Sequence, residues 1–159
     1  MKIKDIQQMS KVILGWREWL ALPELGIDAI KAKVDTGARS SALHTFELET
    51  FSEDGIARVR FCIHPYQHNL SVVKTCVATL LDERNVTDSG GHTELRPVIL
   101  TPVCLGGITK NIEITLTNRE NMKFRMLLGR TAMSGNFTVD PQHSYLLGNM
   151  QANAPTKEY

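Results

Sequence analysis

The chain has 159 residues, the length of one ordinary domain, and its 42% hydrophobic content is enough to form a core. A net charge of +1 gives no global field to recruit nucleic acid or an anionic membrane, so no direct nucleic-acid partner is expected. No apolar run nears the roughly 18 to 20 residues that span a bilayer, and residues 1–10 lack the apolar stretch of a signal peptide, so a cytoplasmic protein without membrane contact is expected.

Short apolar-alternating runs recur between turn signals. They cover residues 12–14, 18–22, 29–35, 46–51, 56–64, 74–81, 94–104, 111–117 and 123–128. Ser52-Glu53-Asp54-Gly55 predicts a hairpin between two of them, and Gly106-Gly107 and residues 117–121 predict further turns. In 111–117, Ile112, Ile114 and Leu116 alternate with Glu113 and Thr115, as in a half-buried strand. No long window keeps a 3.6-residue period. One short helix is expected within 130–135, stopped by Gly135. A loose polar tail is expected from about residue 149, and no linker divides 1–159 into two domains. This many short strands and turns predicts an all-β closed barrel or a sandwich.

The informative segment is Lys31-Ala32-Lys33-Val34-Asp35-Thr36-Gly37-Ala38. A strand rising to Val34 meets a turn in which Gly37 admits a tight bend and the Thr36 hydroxyl can brace it. Asp35 would then be a carboxylate at a strand end on a rigid loop. A lone Asp-Thr-Gly is also an ordinary strand-turn sequence, so its neighbours decide its meaning. Gly90 and Gly91, flanked by β-formers, suit the tip of a mobile hairpin. Met126-Leu127-Leu128-Gly129-Arg130 then ends an apolar run just before the short helix.

This order of strand and Asp-Thr-Gly-Ala, glycine-tipped hairpin, apolar-apolar-Gly-Arg and short helix resembles the retropepsin fold over roughly residues 29–139. The wider pattern narrows the resemblance. Residues 15–26 (Gly-Trp-Arg-Glu-Trp-Leu-Ala-Leu-Pro-Glu-Leu-Gly), the run 31–44 and Leu116-Thr117-Asn118-Arg119 look like a bacterial family labelled ATP-dependent zinc proteases. The resemblance implies a retropepsin-like aspartic peptidase and an acid-protease closed barrel with one short helix. It further implies removal of glutamate tails added to a ribosomal protein by an ATP-grasp ligase, and so a ligase system as partner. Asp35, Thr36 and Gly37 would be the catalytic residues, and Ala38, Arg39, Gly90, Gly91 and Arg130 would contact substrate.

Aspartic-peptidase chemistry needs two carboxylates sharing a proton, one acting as base on water and the other as acid on the carbonyl oxygen. The sequence has a single Asp-Thr-Gly, so a symmetric homodimer must bring Asp35 beside its mate. Viral retropepsins typically carry an acid after Asp-Thr-Gly-Ala, paired with the Gly-Arg arginine. Arg39 stands there instead, so up to four guanidinium groups could ring a dimer's cleft and favour an acidic, glutamate-rich peptide. Alternatively, Arg39 points to solvent or pairs with a local acid such as Glu24.

Neither half of the family label is supported by a motif. There is no His-Glu-x-x-His, and Pro65 argues against a helix presenting His64 and His68 together, so no metal is expected. Gly106-Gly107-Ile108-Thr109-Lys110 is not a phosphate-binding loop, so no cofactor is expected and any ATP link falls to a partner. Cys62, Cys76 and Cys104 read as reduced, mostly buried thiols, and of Trp16 and Trp19 one should anchor the core and the other lie at the surface. Two further functions compete with the peptidase: a non-catalytic module that holds acidic peptides in the same cleft, and a zinc-dependent peptidase.

Overall fold

The protein is described by a computed structural model covering residues 11–66, 69–87, 90–118 and 123–148. Its strands, in chain order, are β1 (Val12–Leu14), β2 (Arg17–Leu22), β3 (Ile27–Val34), β4 (Ser41–His44), β5 (Phe46–Glu53), β6 (Ile56–Ile63), β7 (Lys74–Thr79), β8 (Asp82–Thr87), β9 (Thr93–Leu105), β10 (Ile108–Thr117), β11 (Met126–Leu128) and β12 (Phe137–Val139). Among the described residues one α-helix, α1 (Arg130–Met133), accompanies them, and a 3-10 turn at Pro23–Leu25 joins β2 to β3. The described residues show the predicted all-β class, with one short helix among them.

The main sheet has the order β10-β4-β11-β3-β2-β9-β8, and β10 also pairs with β9. Six strands therefore close into a ring, which leaves few backbone groups at free edges, and β8 is attached outside it on β9. β5, β6 and β7 form a second sheet, and β1 pairs parallel with β12. The hydrophobic core lies inside the ring, where Leu20, Ile30, Leu43, Ile99, Ile114, Leu116 and Met126 are fully buried.

Two of the predicted turns appear as expected. Asp54 and Gly55 form the β5–β6 tip and Gly106 and Gly107 the β9–β10 tip, all with positive φ, the twist that two-residue hairpins need. The turn expected at 117–121 falls mostly outside the described residues, as do His68 and the tail from 149. In β10 the alternation holds through Glu113 and then fails, because Thr115 and Thr117 are also buried. There β4 pairs alongside β10, and Thr115 Oγ1 donates to the Ser41 carbonyl at 3.2 Å.

The segment at Leu146 and Leu147 is fastened through a buried acid. Glu18 is fully buried in β2, and its carboxylate accepts from the backbone N–H groups of Gly15 (2.6 Å), Leu146 (2.9 Å) and Leu147 (3.2 Å). Three donors offset the cost of withdrawing this charge from water. Trp19 is buried beneath Tyr145, with ring centroids 6.2 Å apart, while Trp16 stays partly exposed, as expected for one core and one surface tryptophan.

Cys62 and Cys76 are buried and Cys104 is partly exposed; none is in a disulfide. Burial pushes the Cys76 thiol up from 9.0 to about 11, with the nearby Cys62 adding to the effect. The folded state thus keeps a proton that the unfolded chain releases first. The associated stability is full below pH 9 and is lost as the pH rises from about 9 through about 11. Urea midpoints should fall across that window, and a Cys76→Ser protein should show a weaker decline.

Candidate active site

β3 ends at Val34, and Asp35 continues its course for one more residue: the Asp35 N–H donates to the Leu128 carbonyl at 2.9 Å, extending the parallel β3–β11 pairing. The chain then turns sharply. Asp35 Oδ1 accepts from the N–H groups of Gly37 (2.9 Å) and Ala38 (3.2 Å), so the carboxylate holds its own loop in shape. Among the described residues Oδ2 accepts no hydrogen bond. One oxygen is anchored by the loop, and the other is not engaged by any described residue.

The Gly-Arg segment is zipped onto this loop. Arg130 N–H donates to the Ala38 carbonyl (2.7 Å), and Thr131 donates to the Arg39 carbonyl through both its N–H and its hydroxyl (3.0 Å each). Arg130 Nη1 donates to the Thr36 carbonyl at 2.9 Å. The Gly129 N–H donates to the Ser41 hydroxyl at 3.0 Å, in a buried position. Residues 35–39 and 128–131 therefore form one rigid unit at the ends of β3 and β11. Arg130 thereby braces the turn. Ser41 and Thr131 complete the unit. Neither was legible as part of the site from local pattern, because each acts through a contact some 90 positions away.

Thr36 and Gly37 are exposed in the single chain. Beside them a mostly apolar hollow of about 410 Å3 is lined by Thr36, Arg130, Met133, Phe137 and Val139. Arg39 faces elsewhere, into a hollow of about 280 Å3 with Ser40, Arg84, Glu113 and Thr131. Its neighbour there is Glu113, not Glu24. Arg84 bonds Glu113 at 2.7 Å and Asp82 at 3.0 Å, and this bonding holds the carboxyls of both acids below their usual range. Gly90 and Gly91 lie, exposed, at the β8–β9 tip beyond the last rung, Thr87 opposite Thr93, so the glycine-tipped hairpin forms. A roomier hollow of about 580 Å3 between Glu47 and Thr75 includes no residue of the Asp35 or Arg130 segments.

A sequence model described as RimB-like, retropepsin-like aspartic endopeptidase RimB, matches residues 13–149. The chain belongs to the RimB-like family. Among curated relatives, a protein named probable alpha-L-glutamate ligase from Shewanella pealeana is 45% identical over 139 residues, covering 87% of this chain and 30% of the relative. A protein of the same name from Desulfotalea psychrophila is 42% identical over 153 residues, 96% of this chain and 33% of its own length. The RimB-like chain thus spans about a third of the curated relatives it matches. A crystal structure of a Legionella pneumophila protein of unknown function superposes with a TM-score of 0.70 at 28% identity, over 87% of this chain and 99% of that one.

The family match bears out the retropepsin-like resemblance. No helix of the described residues is long and apolar enough to cross a membrane. Among the described residues no group of three His, Cys, Asp or Glu side chains is placed to hold a metal, and His64 stacks on Phe46 with ring centroids 4.5 Å apart.

Proposed function

We propose that the RimB-like chain, acting as one unit over 1–159, is a cytoplasmic aspartic endopeptidase that works as a homodimer and cuts acidic, glutamate-rich peptide. The observation that carries this reading is the Asp35 carboxylate, which has one oxygen fixed by its own loop and the other unengaged. A two-fold axis past the exposed Thr36 and Gly37 would set two such carboxylates face to face. Two carboxylates at that range share one proton. The ionised one takes a proton from water, the water attacks the peptide carbon, and the protonated one donates to the carbonyl oxygen. Thr36 and Gly37 hold the geometry, Ala38 flanks the bound chain, and Gly90 and Gly91 give the hairpin tip freedom to close over it.

Arg39 and Arg130 supply positive charge near the loop. Arg130 uses one donor on Thr36 and keeps the rest, and Arg39 is exposed. A carboxylate about 4 Å from a guanidinium gains about 1 kcal/mol in water and more in a partly dry cleft. The names of the curated relatives support a link to a glutamate ligase system.

The test is to compare cleavage of glutamate-rich and neutral peptides at low and high salt, in wild type and Arg39→Ala. Wild type should prefer the acidic peptide, most strongly at low salt. The preference should shrink severalfold in Arg39→Ala. Activity per chain should fall on dilution as sedimentation shows dimers parting. Equal cutting of neutral peptide removes the acidic substrate; an active monomer removes the dimer. Turnover lost to a chelator and restored by zinc would replace the aspartic mechanism with a metal one.

A further inference from the structure

Strand alternation puts Asp35, Lys33 and Lys31 on one face of β3, with neighbours on that face about 6.6 to 6.8 Å apart. The antiparallel register sets Arg17 opposite Lys33 and Trp19 opposite Lys31, so β2 adds to the same face. Arg17 and Lys33 are like charges directly across a ladder, an arrangement that costs stability unless an anion lies between them. Among the described residues, neither forms an ion pair with a carboxylate. Arg17 is held by rings instead: its guanidinium lies 4.5 Å from the Trp16 centroid and 4.9 Å from that of Tyr145, and its Nε donates to the Ser144 hydroxyl at 3.2 Å. Lys31 Nζ lies 5.3 Å from the Trp19 centroid. Beside them a hollow of about 280 Å3 is lined by Trp16, Lys33, Lys123, Phe124 and Leu127. The register pairs Leu127 with Lys33, so this hollow opens on the face that carries Asp35.

We propose that this face is the acid-reading subsite of the cleft: an extended acidic peptide lies along β3 with alternate carboxylates on the Arg17–Lys33 pair and on Lys31. The inference rests on the peptidase reading above and adds residues outside both loops to its specificity. The spacing decides the ligand. In an extended peptide, side chains on one side also repeat every 6.6 to 6.8 Å or so, matching Lys31 and Lys33. The rings favour a peptide over a single-stranded nucleic acid. A base would need an open ring face, but Arg17 covers Trp16 and Tyr145, and Tyr145 covers Trp19.

The test uses two synthetic hexapeptides of equal charge, Glu-Gln-Glu-Gln-Glu-Gln and Glu-Glu-Gln-Gln-Glu-Gln, the second of which has no two glutamates at alternate positions, titrated by calorimetry into wild type and into Asp35→Asn. The alternating peptide should bind severalfold more tightly. Lys33→Glu should weaken it roughly tenfold or more and erase the difference between isomers, because an attraction becomes a repulsion. Lys33→Gln, which adds no repulsion, should show a smaller loss in the same direction. Circular dichroism confirms that each variant is folded. Equal affinity for the isomers, unchanged binding in both Lys33 variants, no binding of either peptide, or tighter binding of an oligothymidylate each overturns the proposal. Turnover of Asp35→Asn is a separate readout: if it persists, the peptidase reading fails while the binding data stand.

Discussion

Replacing Asp35 by asparagine is expected to lower peptide hydrolysis about 1,000-fold or more while leaving the fold intact. In the proposed homodimer this one residue supplies both the acid and the base, and general acid–base catalysis is typically worth about 100- to 10,000-fold. The substitution leaves an oxygen where Oδ1 accepts from Gly37 and Ala38, so the loop keeps both bonds and thermal unfolding should barely change. Single-turnover assays and a melting curve on the same preparation separate the two effects. Mixing wild type with excess Asp35→Asn should depress activity, because mixed dimers carry only one competent carboxylate. Near-normal turnover in the variant would place the chemistry elsewhere.

Gly129→Ala is expected to destabilise the protein by about 3 kcal/mol, near the top of the usual overpacking range. The backbone at Gly129 is ordinary, with φ −90 and ψ 174, so conformation alone would admit alanine. Space would not: an added Cβ would lie 2.4 Å from both the carbonyl carbon and oxygen of Ser40 and 2.9 Å from Ser41 N. All three are backbone atoms that no rotamer change can move aside. The chain must part where the Gly129 N–H meets the Ser41 hydroxyl and where Arg130 and Thr131 grip the 38–39 carbonyls. For a chain of this size the melting temperature should drop by about 6 to 12 °C. Turnover should fall further than stability alone explains, since a displacement of about 1 Å in reacting groups can cost about 100-fold. A variant that melts like wild type would mean that the two segments separate at little cost.

The two predictions bear on different kinds of information. Asp35 was legible because its motif is contiguous: strand, acid, hydroxyl and glycine lie within a few positions. Strands with clean alternation and tight turns were legible for the same reason. β1 was predicted with its observed bounds, and β3, β6 and β9 to within one or two residues at each end. The glycine-tipped hairpin and the Gly-Arg before α1 were also local signals.

Three strands escaped the sequence reading, each because its reason for being a strand lies elsewhere. β4 (Ser-Ala-Leu-His) is too short to show a period and exists through β10 on one side and β11 on the other. β8 is almost wholly polar and is held by its ladder to β9 and the link from Arg84 to Glu113. β12 needs β1, from the far end of the chain.

The sequence by itself determined the β class and the Asp-Thr-Gly turn, because local hydrophobic period and turn chemistry encode them directly. Only the tertiary structure decided that Arg130 braces Thr36, that Arg39 faces Glu113 and not Glu24, and that Arg17 stands opposite Lys33. Those pairings depend on strand register and ring closure. They arise from many weak contacts between distant segments, and no window of neighbouring residues contains them.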